Sequence, residues 1–359
     1  MALSVMQRNP EPWQLEFNDK PKWSYTHGLV LSSFIELSKK VTDQKYYEYA
    51  ERYANIMVED DGSIQTYDIA DFNIDHLSAG NVVLTVYQKT KDEKYLKALQ
   101  TLRKQIEWQP RTTDGGFWHK LRYPWQMWLD GLYMGSPFYL NYSLEFDDQE
   151  CLDDIVNQFV LMEKHARDPK SGLLYHGWDE SAVQEWADPE TGLSENFWGR
   201  AIGWYAMALV DVLESLPKNH SGRGQLSDIL NRLVEAIVPY QDKTGLWYQV
   251  VDMGEKDGNY LEASASCMFA YSIAKGVNLG VLDKKYWKNA EMCFDGIINN
   301  LIEVDENGAV SITNVCSVAG LGGNPYRDGS FEYYISEPKR NNDPKATGPF
   351  ILASIELDK

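Results

Sequence analysis

The chain is short of cations and cysteines and has no long apolar run. Its 359 residues include 34 Lys and Arg against 53 Asp and Glu, a net charge of −19. Nucleic acid calls for a basic face, so this balance speaks against it. An anionic small substrate would need cations gathered locally. The four cysteines, Cys151, Cys267, Cys293 and Cys316, are far apart and show no Cys-x-x-Cys spacing. That suggests neither a zinc site nor a dense disulfide framework. The few histidines match no ligand spacing either, so no metal or organic cofactor is implied. Without a stretch of about eighteen apolar residues, no membrane span is expected. No charged-then-apolar leader opens the chain. The expectation is a cytoplasmic location, or a periplasmic one if a signal has been removed. The sequence leaves the oligomeric state open.

Aromatic residues are abundant. Twelve Trp and 22 Tyr exceed what a core of this size requires, and such a surplus is common where flat sugar faces are gripped.

Apolar positions recur at spacings of three and four, in paired segments. This predicts helices over 22–40 and 43–58, 74–90 and 92–108, 130–146 and 149–167, 199–216 and 224–241, 264–280 and 284–303, and a last one from 348. Short links such as Val41-Thr42-Asp43 join the two members of a pair, as in αα-hairpins. A long connection follows each pair and carries a turn glycine, at Gly62, Gly115, Gly172, Gly245 and Gly308. The short apolar runs behind these glycines suggest small β-hairpins at one end of the array. Five hairpins and a lone C-terminal helix lack one partner, which Leu3–Arg8 can supply. Closing the ring hides both open ends of the repeat. The expected fold is all-α: an (α/α)6 barrel of six hairpins, one domain spanning 1–359. An open solenoid would have shorter repeats and plainer loops.

Two segments set an aspartate at the start of an apolar stretch with a glycine five residues later: Asp75 with Gly80, and Asp130 with Gly135. Helix starts expose free N–H groups and the positive end of the dipole. Taken singly, either aspartate is as well explained as a helix cap. Register brings more residues to the same end. Arg200 opens an inner helix, and His119 and His176 each lie four residues after a turn glycine, with Gln249 in the same place after Gly245. One mouth should therefore hold Asp75, Asp130, His119, His176 and Arg200. Lys120, beside His119, faces an anionic substrate group or solvent. Plainer roles compete: Arg200 in an ion pair with Glu195 or Asp179, His176 as a loop anchor, and at least one of Trp198 and Trp204 in the core. His165 and His220 read as solvated surface. His27 lies near the first inner-helix start, within reach of the mouth. The acidic run Asp147, Asp148, Glu150, Asp153 and Asp154 reads as the first turn of an outer helix.

Six motifs occur in order along the repeats: Asn73-Ile74-Asp75, Gly116-Phe117-Trp118-His119-Lys120, Met127-Trp128-Leu129-Asp130-Gly131-Leu132-Tyr133-Met134, Tyr175-His176-Gly177-Trp178-Asp179, Phe197-Trp198-Gly199-Arg200-Ala201-Ile202-Gly203-Trp204 and Thr347-Gly348-Pro349-Phe350. With them the whole chain resembles family 105 of the glycoside hydrolases, the unsaturated rhamnogalacturonyl hydrolases, and more distantly the unsaturated glucuronyl hydrolases of family 88. The resemblance implies that Asp130 donates the proton and that Asp75 is the second active-site carboxylate. It implies that His119, Trp128, His176, Arg200 and Trp204 contact the sugar. The implied substrate is an oligosaccharide ending in a 4,5-unsaturated uronyl residue, as left by a polysaccharide lyase. The implied reaction is protonation at C4 and hydration at C5. Relatives often carry Gly or Asn between the arginine and the second glycine, where this chain has Ala201-Ile202, which bears on fine substrate choice. The neighbouring sugar is open between rhamnose, as in pectin, and sulfated rhamnose, as in ulvan. A conventional two-carboxylate glycosidase and a sugar epimerase using His119 and His176 as bases are the alternatives.

Overall fold

The computed structural model describes residues 1–358. In chain order its helices are α1 (Ala2–Arg8), α2 (Tyr25–Val41), α3 (Gln44–Met57), α4 (Gly80–Thr90), α5 (Glu93–Trp108), α6 (Leu129–Glu145), α7 (Cys151–Ala166), α8 (Gly199–Ser215), α9 (Arg223–Ile237), α10 (Ala263–Asn278), α11 (Trp287–Leu301), α12 (Phe331–Ser336) and α13 (Pro344–Leu357). The strands are β1 (Gln126–Trp128), β2 (Gly177–Asp179), β3 (Ile302–Val304), β4 (Val310–Ile312), β5 (Val315–Cys316) and β6 (Lys339–Arg340).

The expected barrel is present. Helices α2, α4, α6, α8, α10 and α13 form an inner ring, and α13 closes it by packing between α10 and α2. Outside lie α3, α5, α7, α9 and α11. The two classes differ in sequence because they differ in surroundings. Outer helix α3 buries Tyr46, Tyr49, Ala50, Tyr53, Ala54 and Met57 and leaves Lys45, Glu48 and Arg52 in water, a stripe at helical spacing. Inner helix α8 is buried without a break from Gly199 to Val210, so it has no polar face. Fully burying one Leu or Phe side chain stabilises by about 1.5–3 kcal/mol. The missing outer partner is α1, a single short helix. Val310 donates to Ser4 Oγ and Arg8 Nη2 donates to Val310 O, each at 2.9 Å, and Tyr49 reaches Asn9 O at 2.6 Å.

Glycines let the inner helices approach closely. A Cβ on Gly135 would lie 2.9 Å from Ile74 Cδ1, and one on Gly203 would lie 2.8 Å from both Cβ and Sδ of Met268. The glycine five residues after Asp130 is thus a packing device between α6 and the segment that carries Asp75.

The turn glycines behave alike. Gly62, Gly115, Gly172, Gly245 and Gly308 all have φ between 74° and 103°, a region where a side chain is disfavoured. The segments behind them depart from the expected hairpins. Behind the first three turns there is only a single bridge each: Val58 with Ile64, Arg111 with Phe117, Arg167 with Leu174. Among the described residues a proper hairpin forms once, β3 with β4. The pair β1–β2 joins two different long loops, with Trp128 opposite Gly177.

The helix expected from residue 74 begins later. Residues Ile74–Leu77 make a 3-10 turn, and α4 starts at Gly80. Asn73 caps that turn by accepting from the Asp75 N–H at 3.1 Å. Outer helix α7 does carry Asp153 and Asp154 in its first turn, but arginines hold this acidic run as well. Arg111 grips both oxygens of Asp154 at 2.8 and 2.7 Å, and Arg103 meets Asp148 at 3.0 Å.

A variant tests the close approach. Gly203→Val forces its side chain into Met268, and overpacking of this kind costs roughly 1–3 kcal/mol. Chemical denaturation should show a lower midpoint with an unchanged slope. An unchanged midpoint would mean that the inner ring has slack here.

Candidate active site

The mouth is assembled by one repeated backbone contact. The His119 carbonyl accepts from the Ile74 N–H at 3.1 Å, that of His176 from Leu129 at 3.0 Å, that of Gln249 from Gly199 at 2.9 Å and that of Asn314 from Ala263 at 3.3 Å. The residues next after the anchored N–H groups are Asp75, Asp130, Arg200 and Ser264. Each loop residue therefore faces the inner segment one repeat earlier: His119 faces Asp75 and His176 faces Asp130.

The two Asp–His pairs lie close together but are treated differently. Lys120 Nζ sits 2.5 Å from Asp75 Oδ2, and His119 Nε2 is 3.4 Å from Asp75 Oδ1. His176 Nε2 is 3.2 Å from Asp130 Oδ2. Those two atoms are not aligned for a hydrogen bond, and among the described residues neither has a hydrogen-bond partner. Trp128 binds the pairs together. It stacks on His119 with centroids 4.5 Å apart and meets His176 edge-on at 5.4 Å, while Tyr123 covers its other side at 5.0 Å. Its N–H is held by Gln126 at 3.1 Å, so the ring is fixed. Both aspartates keep a little exposure, 13% for Asp75 and 14% for Asp130, enough to meet a substrate.

Arg200 opens α8 and is 1% exposed. Its Nη1 donates to the Cys316 carbonyl at 2.5 Å and to Ser264 Oγ at 3.2 Å, and its guanidinium lies 4.7 Å over the Trp198 ring. Neither expected ion pair exists. The Asp179 carboxylate is spent on the N–H groups of Ser181, Val183 and Gln184, and Glu195 is exposed. Trp204, one turn further along α8, lies deeper. It packs 4.8 Å from Tyr133 and edge-on to Tyr25 at 6.0 Å, and it is 1% exposed. With Trp198 equally buried, both tryptophans belong to the core, and Trp204 forms part of the floor. Below it the lumen opens into a cavity of about 520 Å³ lined by Tyr133, Asp211, Tyr271 and Lys275.

Set beside known proteins, this arrangement has relatives. The family model described as Glycosyl Hydrolase Family 88 matches residues 1–359. The chain belongs to that family, and it is a glycoside hydrolase. A C. acetobutylicum glycoside hydrolase from family 105 has a solved structure that is 46% identical, with a TM-score of 0.95 over 99% of this chain and 98% of that one. Protein Atu3128 of Agrobacterium fabrum is 39% identical over 229 residues, 62% of this chain and 97% of its own length. The unsaturated rhamnogalacturonyl hydrolase YesR of Bacillus subtilis is 25% identical over 295 residues, 80% of this chain and 78% of its own.

Within this glycoside hydrolase the histidines divide sharply. His27 does not reach the mouth; it stacks on Tyr53 at 4.8 Å and its Nε2 lies 3.1 Å from Trp13 O. His165 is not free surface, since it stacks on Trp178 at 3.6 Å and meets Asp114 at 2.7 Å. His220 holds the Gly222 N–H at 3.1 Å. Four participants at the mouth left no recognised signal in the sequence. Tyr334 of α12 meets His176 Nδ1 at 2.7 Å, and Gln249 Nε2 donates to its carbonyl at 3.1 Å. Tyr25 opens α2 and packs edge-on against Trp204. Glu262 and Ser264 open α10. The register of the inner-helix starts, carried one repeat further, leads to Ser264. Tyr334 sits in a short helix with no periodic signal.

The local electrostatics come from burial and from Lys120. Burial opposes a charge on Asp75, but Lys120 and His119 outweigh it and hold the carboxyl below its usual range. Burial pushes the His119 imidazole down to about 4; Asp75 resists this and Lys120 adds to it. Arg200 is also opposed by burial, yet Cys316, Glu262 and Asp343 more than compensate and keep it charged.

These shifts make stability depend on pH. Between about pH 6.5 and about pH 4 the unfolded chain takes up a proton at residue 119 that the folded chain refuses. Stability therefore falls as the pH drops through that window. The contribution from Asp75 is fully present there and is lost only at lower pH, through its depressed folded value. His27 and His76 are also lowered by burial, so the comparison is with a variant. His119→Gln should flatten the fall in thermal midpoint between pH 6.5 and 4 by the equivalent of about 1–3 kcal/mol. Parallel curves for variant and wild type would contradict the assignment.

Proposed function

We propose that this glycoside hydrolase removes the terminal 4,5-unsaturated uronyl residue from oligosaccharides left by polysaccharide lyases. The observation that carries the reading is the unequal state of two equivalent aspartates. Asp75 is clamped by a lysine, which suits a fixed negative charge and not an exchangeable proton. Among the described residues no lysine or arginine meets Asp130; His176 Nε2 lies 3.2 Å from it, and one of its oxygens has no hydrogen bond. A carboxyl in that position can hold a proton, deliver it to C4 of the enol ether and then take one from the water that attacks C5. The hemiketal so formed opens and releases the neighbouring sugar. Trp128 offers a flat apolar wall for the unsaturated ring. Arg200 neutralises the uronate in a protein whose net charge of −19 otherwise repels it. The relationship to the B. subtilis unsaturated rhamnogalacturonyl hydrolase supports this class of substrate and makes rhamnose the favoured neighbour, sulfated or not.

The alternatives fit the site less well. A conventional glycosidase needs two carboxyl groups that act in turn, and Lys120 ties up one of them. An epimerase needs two available imidazole bases. His119 is 3% exposed beneath Trp128, and its low proton affinity suits it poorly to that task.

Asp130→Asn keeps the shape and removes the transferable proton. Its turnover on an unsaturated uronyl-rhamnose disaccharide should fall by about a hundredfold or more, with the thermal midpoint kept. A variant within a few-fold of wild type would exclude Asp130 as the donor. Saturated uronides and aryl glycosides offer no alkene carbon and should be inert. Their cleavage, with the aspartates required, would move the enzyme to the two-carboxylate class.

A further inference from the structure

The register that places Asp75, Asp130 and Arg200 one residue past an anchored N–H continues to Ser264. Ser264 is completely buried. Its O–H donates to Glu262, whose oxygens lie 2.9 and 2.8 Å away, and its Oγ accepts from Arg200 Nη1 at 3.2 Å. The Glu262 carboxylate also accepts from the Ala265 N–H at 2.7 Å and the Cys316 N–H at 2.9 Å. The carbonyl of that same Cys316 accepts from Arg200 Nη1 at 2.5 Å. Two of the three residues that Glu262 grips, Ser264 and Cys316, therefore also meet the guanidinium. Among the described residues, no carboxylate bonds to the guanidinium directly, and its buried Nε has no partner.

We propose that Glu262 and Ser264 are positioning residues that serve as a displaced counter-ion for Arg200. This rests on the proposed role of Arg200 in holding the uronate. A guanidinium presents its N–H groups as a fork that a planar carboxylate fills with two bonds. A glutamate in direct contact would fill that fork and compete with the substrate. Held one hydroxyl and the backbone of Cys316 away, Glu262 balances the buried charge and pins Nη1 from one side. The buried Nε donor is left unspent for an anion that reaches it. The arrangement explains why a serine stands where the equivalent repeats have Asp75, Asp130 and Arg200: the position must donate to Glu262 and accept from Arg200 at once, which a hydroxyl can do. The competing view is that Glu262 merely caps α10 through Ala265.

The test uses the full chain and three variants, Ser264→Ala, Glu262→Gln and Arg200→Met. Rates on the unsaturated uronyl-rhamnose disaccharide are followed by loss of ultraviolet absorbance of the double bond, and thermal midpoints are taken on the same preparations. Ser264→Ala should raise KM about tenfold, as expected for a lost hydrogen bond to a charged group, with kcat within about twofold and Ser264→Thr restoring KM. Glu262→Gln should raise KM at least as much and also lower the midpoint, because one of the two N–H groups loses its acceptor. If Ser264→Ala does not fold, Glu262→Gln carries the test. If both variants keep the wild-type KM while Arg200→Met raises it, the inference is wrong and the role of Arg200 stands; a loss of midpoint alone counts the same way. If Arg200→Met leaves KM unchanged, the role of Arg200 falls and this inference with it.

Discussion

An inner helix begins with N–H groups that its own residues cannot satisfy. In this barrel the first N–H of α6, α8 and α10, and that of the 3-10 turn before α4, is taken by a carbonyl four to six residues after a turn glycine, at Leu129, Gly199, Ala263 and Ile74. That bond does two things together. It satisfies a buried donor that would cost about 1–3 kcal/mol if left unpaired, and at His119 and His176 it brings the side chain of the accepting residue against the one next after the donor. The pairing of His119 with Asp75 and of His176 with Asp130 is a by-product of backbone hydrogen bonding. So is the placement of Gln249, which uses its amide to steady Trp198 and Tyr334.

Repeat symmetry supplies positions, and substitution at those positions supplies chemistry. The same site in successive repeats holds a clamped carboxylate, a carboxylate without a cation, a guanidinium and a hydroxyl. Lys120 has no counterpart beside His176, where the next residue is Gly177, under Leu321 and Trp128. One lysine therefore separates the roles of the two aspartates. The residues two places before each position, Asn73, Trp128, Trp198 and Glu262, vary just as freely: a cap, a stacking wall, a second aromatic and a counter-ion.

The barrel was legible because burial leaves different periodicities on inner and outer helices, and because α1 was required by closure. The mouth was legible as far as two signals ran, the turn glycines and the helix starts. These found His119, His176, Asp130 and Arg200. They also brought Asp75 to the mouth but put it on a helix, because the pattern of apolar residues does not separate a 3-10 turn from the helix it precedes. Contacts across many residues left no local mark. Tyr334 lies 158 residues from His176, and the Cys316 carbonyl lies 116 from Arg200. The depth of Trp204 was hidden for the same reason: its spacing from Arg200 is that of one helical face, and only Tyr25 and Tyr133 decide that the face is covered.

The proposed chemistry requires Asp130 to act at the double bond and not at the anomeric carbon. An unsaturated uronyl C-glycoside separates the two, since its carbon link to the neighbour cannot be cleaved while its enol ether is intact. Incubated with the enzyme in deuterium oxide, it should lose its ultraviolet absorbance and gain one deuterium at C4, and Asp130→Asn should abolish both changes. If the C-glycoside persists unchanged while the matching O-glycoside is consumed, hydration is not the reaction and the proposed role of Asp130 fails.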